Sequence, residues 1–288
     1  MSSTLTELAE EFWSWRAATQ PVTSDDIVRV ERPPGWVNDW SPGAVEARRR
    51  DLAAFAERYQ RLDLAAEPVA VQVDGRLIGS ALARVRYELE LLRGWQRDPG
   101  FYLQQSLGPL FEVLLVPPPL DEGRVADVLR HLGQVPVVLE HARQHLEGHA
   151  VAAFARYAGL LVDRAVKELD RAMRALAPLL PAVPAEALLS LTGRAVAALA
   201  AYGEWLGERT AGFAQDVSAG PEVLGFFLHR VALCPDPADR LRAQARQEYG
   251  RAVALEQLLR ARHRGAAPQP MIAGVEQEER DEAAIRAF

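Results

Sequence analysis

Cysteine is almost missing from this 288-residue chain: Cys234 stands alone. One thiol cannot close an internal disulfide, so a cystine-stapled scaffold is excluded, as are zinc sites built from clustered thiolates. An excess of positive charge is lacking too. Lys and Arg number 33 against 39 Asp and Glu, a net charge of −6, which argues against a broad phosphate-contacting footprint, and no nucleic-acid partner is expected. No apolar run approaches the ~18 residues of a membrane span, so no membrane partner is expected either. The opening MSSTLTELAEEFWSWRAATQP puts Glu7, Glu10 and Glu11 where an export signal would be apolar. The cytoplasm is therefore the expected compartment. Nucleotide-binding loops of the GxxxxGK[ST] or GxGxxG type are missing, and so is the GxSxG elbow of α/β-hydrolases. What remains is 49% hydrophobic and 25% charged, the composition of an ordinary globular protein rather than a disordered one. The length suits one large domain or two smaller ones.

Proline and glycine punctuate the chain into blocks with helical periodicity. Leu5, Leu8, Phe12 and Trp15 share one face of a first block, Leu5 to Ala18, which Thr4 or Thr6 could cap and Pro21 ends. Residues 20–43 lack a period and read as a loop. Ser41-Pro42 then reads as an N-cap with proline at the first helical position, and Leu52, Phe55, Ala56, Tyr59 and Leu62 line the stripe of the helix that follows. Within 64–72 and on to Val73, the run PVAVQV alternates weakly and suggests a short strand, with Asp74-Gly75 as a turn. Further helices are predicted over Gly79–Arg93, Tyr102–Leu115, Leu120–Leu132 and Val135–Leu146. The longest, Ala150–Leu180, is expected to turn Leu160, Leu161, Val166, Leu169, Met173 and Leu176 inward. Others are predicted over Glu186–Gln215, Pro221–Ala232 and Ala238–His263. The expected fold class is all-α, a multi-helix array of about nine or ten helices joined by Pro/Gly turns. A helical domain over 1–264 is expected to precede a linker or flexible tail over 265–288.

Few constellations suggest chemistry. His141, His145 and His149 recur at i, i+4 and i+8, a spacing at which neutral imidazoles can hold a divalent transition metal. The simpler reading is a solvated helix end, with Gly148 terminating the helix and leaving His149 outside it. The zinc-peptidase pattern HExxH fails here, because Leu146 stands where the basic glutamate is required and Glu147 comes one residue late. Cys234 precedes Pro235 with only His229 and Arg230 as basic neighbours, so a bland thiol is expected. Arg48-Arg49-Arg50 reads as a solvated basic face flanked by Glu46, Asp51 and Glu57. Trp13, Trp15, Trp36 and Trp40 read as packing between the first helix and the loop after it. Paired acids such as Glu10-Glu11, Asp25-Asp26 and Glu278-Glu279 carry no signal. No catalytic, cofactor-binding or metal-ligating residue is assigned.

The stretch DGRLIGSALARVRYELELLRGWQRDPGFYLQQSLGPLFEVLL, Asp74 to Leu115, carries a resemblance. Asp74, Arg76, Leu77, Ile78, Glu88, Leu89, Glu90, Trp95, Pro99 and Tyr102 follow a D-x-R-L-L … E-L-E … W-x-x-x-P-x-x-Y pattern. This is similar to the N-terminal half of the bacterial domain-of-unknown-function 885 family, whose members look like zincin-type metallopeptidases. A second segment resembles the family through Pro136, Leu139, Ala142, Arg143 and Leu146, with His145 where the family often has Asn. Gly225–Leu259 resembles the segment that precedes the family's catalytic half. The family's HExxGHH motif has no counterpart among the six histidines. The resemblance therefore implies a non-catalytic helical half, inactive alone, whose partner is a C-terminal catalytic half or a second copy of the chain. It implies Trp95 and Tyr102 packing a corner where Pro99 starts a helix. The alternative is a stand-alone helical binding or scaffolding protein without enzymatic activity.

Overall fold

The computed structural model describes residues 3–23, 31–117, 119–266, 280, 282, 283 and 286. Among these residues the chain is all-α, with no strand beyond a single bridge between Val151 and Ala214. Most of the expected tail, and residues 24–30 of the expected loop, lie outside the described residues. Two compact units are present, residues 1–235 and 236–288.

The first unit opens with α1 (Ser3–Thr19), which begins early enough that Thr4 and Thr6 sit within it rather than capping it. Its Leu5, Leu8 and Phe12 are buried. In α2 (Pro42–Gln60) the Ser41 hydroxyl accepts a hydrogen bond from the Ala44 N–H at 3.2 Å, and Pro42 occupies the first helical position. This satisfies one of the orphan donors of the helix start. α3 (Val69–Arg86) corrects the strand expected at Val69–Val73. The alternation there is an accident of two helical faces. Val71 is buried in step with Gly75, Ile78 and Leu82, a spacing of three to four residues. Asp74-Gly75 lies inside the helix, and Gly75 faces Leu64, whose Cδ1 would lie 2.5 Å from an added Cβ. Glycine is there for close approach, not for a turn.

α3 runs into a π-helical turn, Tyr87–Leu92, which ends at Arg93 in the left-handed region with φ 52°. The short α4 (Gly94–Arg97) follows, then α5 (Pro99–Leu114). Asp98 caps α5 by accepting from the Gly100 N–H at 2.8 Å, with Pro99 first in the helix. α6 (Glu122–Leu146) merges two predicted blocks into one helix that passes through Pro136. Buried Leu132, Val135, Val138 and Leu139 hold the helix across the missing N–H. α7 (Ala152–Leu176) and α8 (Ala182–Arg209) pack along one another. The inward face of α7 is the predicted one over its second half, where Leu169, Met173 and Leu176 are buried and Val166 packs against the core, but not over its first half. Leu160 and Leu161 are exposed, while Ala155, Ala158 and Val162 are buried. Small residues let α8 approach closely, so alanine takes places that hydrophobicity alone assigns to leucine. α9 (Pro221–Phe226) leads into a second π turn, Phe227–Val231.

Helices α5 to α8 enclose one core, which includes Leu132, Leu139, Leu146, Leu188, Leu199 and Tyr202. α1, α2 and α3 enclose a second around Leu5, Phe12, Phe55 and Leu82. By length and composition, the helical span Ala182–Gly212, which contains α8, could cross a membrane. Here it packs on α6 and α7 with Leu188, Ala195, Leu199 and Leu206 buried.

The second unit contains α10 (Ala238–Arg262). Its surface carries ion pairs one turn apart, Glu248–Arg251 at 2.8 Å and Glu256–Arg260 at 2.6 Å, which support a helix whose side chains are largely exposed.

Candidate functional site

A cavity of about 260 Å³ opens between α1, α2, the π turn after α3, and the start of α5. Trp15, Trp40, Tyr87, Trp95, Phe101 and Phe227 line it. The rings are locked against neighbours. Trp40 meets Phe101 edge-on with centroids 4.7 Å apart, and Tyr87 meets Phe227 at 5.1 Å. The Trp95 indole N–H donates to the Leu89 carbonyl at 3.1 Å, and the Tyr102 hydroxyl donates to the Trp95 carbonyl at 2.7 Å. Trp95 and Tyr102 thus pack the corner at Pro99.

Four charged side chains line the same space: Arg16, Arg48, Arg84 and Glu88. Glu88 sits on the π turn and uses both carboxylate oxygens. Oε2 accepts from Arg16 at 2.7 Å and Oε1 from Arg84 at 2.7 Å. Arg48 is left outside that pairing. It is 7% exposed, its Nη2 donates to the Asp39 carbonyl at 2.6 Å, and its guanidinium lies 4.3 Å from the centre of the Trp40 ring. Its Nη1 is buried and has no hydrogen-bond partner. Burial lowers its pKa to about 10, with Asp39 opposing the shift and Arg16 adding to it. A π-helical turn and a left-handed Arg93 at the edge of a cavity are departures from regular backbone of the kind that gather at functional sites.

The basic run of α2 is therefore not a solvated face throughout: Arg50 is exposed, Arg49 half-buried and Arg48 buried. The register explains why. Arg48 lies three residues after Val45 and four before Leu52, on the stripe that faces the interior. Arg16 likewise lies four residues after Phe12 and is 7% exposed. Arginines continuing an apolar stripe were the signal, and reading the three arginines as one block hides it. Of the four tryptophans near the N-terminus, Trp15 and Trp40 reach the cavity. Trp13 packs on Phe12 at 5.1 Å, and Trp36 donates to the Ala18 carbonyl at 2.8 Å. Glu88, Leu89 and Trp95, three of the residues carrying the family resemblance, line the cavity.

The histidines do not line the cavity, but His145 is buried behind it, its ring 4.9 Å from that of Trp95, which corrects the solvated helix end expected there. α6 ends at Leu146, Gly148 takes φ 75°, and His149 lies beyond the helix and exposed. The His145 Nε2 meets the Trp40 carbonyl at 2.9 Å, so that nitrogen carries a proton and donates. Burial lowers its pKa, against that hydrogen bond. Among the described residues no group of three or more His, Cys, Asp or Glu is arranged to hold a metal ion. At Cys234 the His229 Nδ1 donates to the backbone carbonyl at 2.9 Å.

No family model matches the sequence, and no curated protein matches it. Among solved structures, the fold is similar to that of a "putative lipoprotein of unknown function" from Shewanella oneidensis, with a TM-score of 0.62 at 15% identity. The similarity covers 93% of this chain and 50% of that one, so the chain spans half the length of the structure it matches. At this identity the likeness concerns the fold.

Proposed function

We propose that this chain is the non-catalytic helical half of a larger protein related to zincin-like metallopeptidases, of a substrate not yet named, and that it contributes binding surface rather than reacting groups. The observation that supports a half-protein is the coverage of the structural match, 93% of this chain against 50% of the longer one. The relationship to zincin-like metallopeptidases rests on the motif from Asp74 to Tyr102. Its partner is a C-terminal catalytic half, with a second copy of the chain as the alternative. Cytoplasmic residence belongs to the same proposal; the acidic residues Glu7, Glu10 and Glu11 in the opening segment support it, and the lone Cys234 agrees with it.

The test is to read the source DNA downstream of the Phe288 codon. The expected result is a continuing frame, or an adjacent gene, that encodes an HExxH helix, and a mixture of the two polypeptides that hydrolyses a peptide neither cleaves alone. A stop codon with no such neighbour overturns the proposal.

One observation favours a second reading, a stand-alone helical binding module: the ring-lined cavity with its buried arginine lies wholly within residues 1–235. That reading needs no partner polypeptide, and the same locus distinguishes the two.

A further inference from the structure

We propose that the cavity beside Arg48 is a binding site for a small organic carboxylate with a flat apolar body. Three guanidiniums face one carboxylate there, and that carboxylate is used up. Both oxygens of Glu88 are taken by Arg16 and Arg84, so neither is free for Arg48. The remaining charged lining group is Arg48 itself. The Asp39 carboxylate, the acid whose charge reaches Arg48, has its Oδ1 engaged by the Ser41 N–H at 2.8 Å on the exposed side of the loop.

Arg48 thus combines three features. It is more than nine-tenths buried and charged, it has one backbone carbonyl as acceptor, and it keeps an Nη1 whose two N–H groups have no acceptor. A buried charge is ordinarily paired and hydrogen-bonded on all sides. The Trp40 face offers partial compensation, which leaves the donors unmet. An incoming carboxylate adds to the charge of Asp39 and supplies the missing acceptors, since a guanidinium and a carboxylate match in plane and spacing.

The walls choose the rest of the ligand. Six aromatic side chains line the cavity beside the charge, and the volume lies just below the ~300 Å³ at which drug-sized ligands begin to fit. A flat ring with a short acid side arm fits that space. A bare inorganic anion would leave the rings without a partner. The inference does not depend on the reading of the chain as half of a larger protein, because every lining residue lies within one compact unit.

The experiment uses the full chain and follows tryptophan fluorescence, since Trp15, Trp40 and Trp95 line the cavity. The probes are benzoate, 3-phenylpropionate and indole-3-acetate, each compared with its neutral primary amide, and inorganic phosphate. At least one acid should bind with a Kd below about 1 mM and at least tenfold more tightly than its amide. Phosphate should bind at least tenfold more weakly than that acid. Arg48→Gln should remove the difference between acid and amide while keeping the far-UV circular dichroism of the parent. Comparison of acid with amide on the unaltered chain decides the matter even where the variant does not fold. Equal binding of acid and amide overturns the proposal, as does binding of none of the three acids. Phosphate binding as tightly as the best acid overturns the organic body. An acid preference that survives in folded Arg48→Gln overturns the role of Arg48.

Discussion

Glu88 holds two arginines at once, and the asymmetry of that arrangement sets its worth. The Arg16 side chain is 8% exposed and that of Glu88 20%. Removing the carboxylate charge leaves the Arg16 guanidinium buried beside Arg84 and near Arg48 with nothing to balance it. Breaking a buried pair by removing one partner costs more than replacing both. Glu88→Gln is expected to destabilise the protein by about 3 kcal/mol, seen as a fall in the urea midpoint at unchanged m value. A change below about 0.5 kcal/mol would place the pair in the solvent-screened class. His131 makes a second residue-scale prediction. It is 8% exposed, and burial, reinforced by the neighbouring Arg130 charge and opposed by Asp127, pushes its pKa down to about 4. The folded state therefore holds His131 neutral at a pH where the unfolded chain takes up a proton. With more protons bound when unfolded, stability falls as pH drops from about 6.5 toward about 4. His131→Leu is expected to lessen that fall by on the order of 2 kcal/mol, measured as urea stability at pH 7 and pH 4.5. Parallel losses in the parent and the variant would remove the assignment.

At the scale of the helix, the contrast between two glycines of α8 tests how closely it packs. Gly193 has open space where a Cβ would stand, whereas a Cβ on Gly203 would lie 3.0 Å from Val162 Cγ1, and Val162 is 1% exposed on α7. Alanine gains up to ~1 kcal/mol over glycine in a helix interior. Gly193→Ala is expected to raise stability by about that amount. At Gly203 the stiff, branched valine must yield, so the gain is offset or reversed. Melting temperatures of the two variants that moved together would refute the close approach. These helices were legible in the sequence because their apolar residues recur every three to four positions. What periodicity could not supply is what lies opposite. The inward alanines of α7 look like surface until α8 is placed against them, and Val69–Val73 alternates like a strand until α3 buries Val71 and Ile78 on one side. Likewise the break expected between Leu132 and Val135 is absent, because buried residues on both sides of it hold α6 as one helix.

Across residues 1–235 the two hydrophobic cores meet at the cavity. Trp15, Val85 and Leu89 come to it from the α1–α3 side, and Trp40, Trp95 and Phe101 from the α5–α8 side. This convergence could not be read from the sequence, because Arg16, Arg48 and Glu88 lie 72 residues apart at the extremes and no local spacing links them. A buried polar staple fastens the same junction. The Gln105 carboxamide accepts from the Val22 N–H and donates to the Val22 carbonyl, both at 2.8 Å, and Asn38 Nδ2 donates to its oxygen at 3.0 Å. Gln105 is 1% exposed and Asn38 4%. Such a network is worth having only when complete, since each group left unmet costs about 1–3 kcal/mol. Separation of the cores would leave unmet the bonds between Gln105 and Val22, along with the Arg16–Glu88 pair, so the two cores should melt as one. Expressed alone, residues 1–235 are expected to unfold in urea in a single transition. Far-UV circular dichroism and tryptophan fluorescence should give one midpoint, as two-state behaviour requires. Two midpoints would mean that each core stands by itself and that the cavity lies across a hinge, not within one cooperative body.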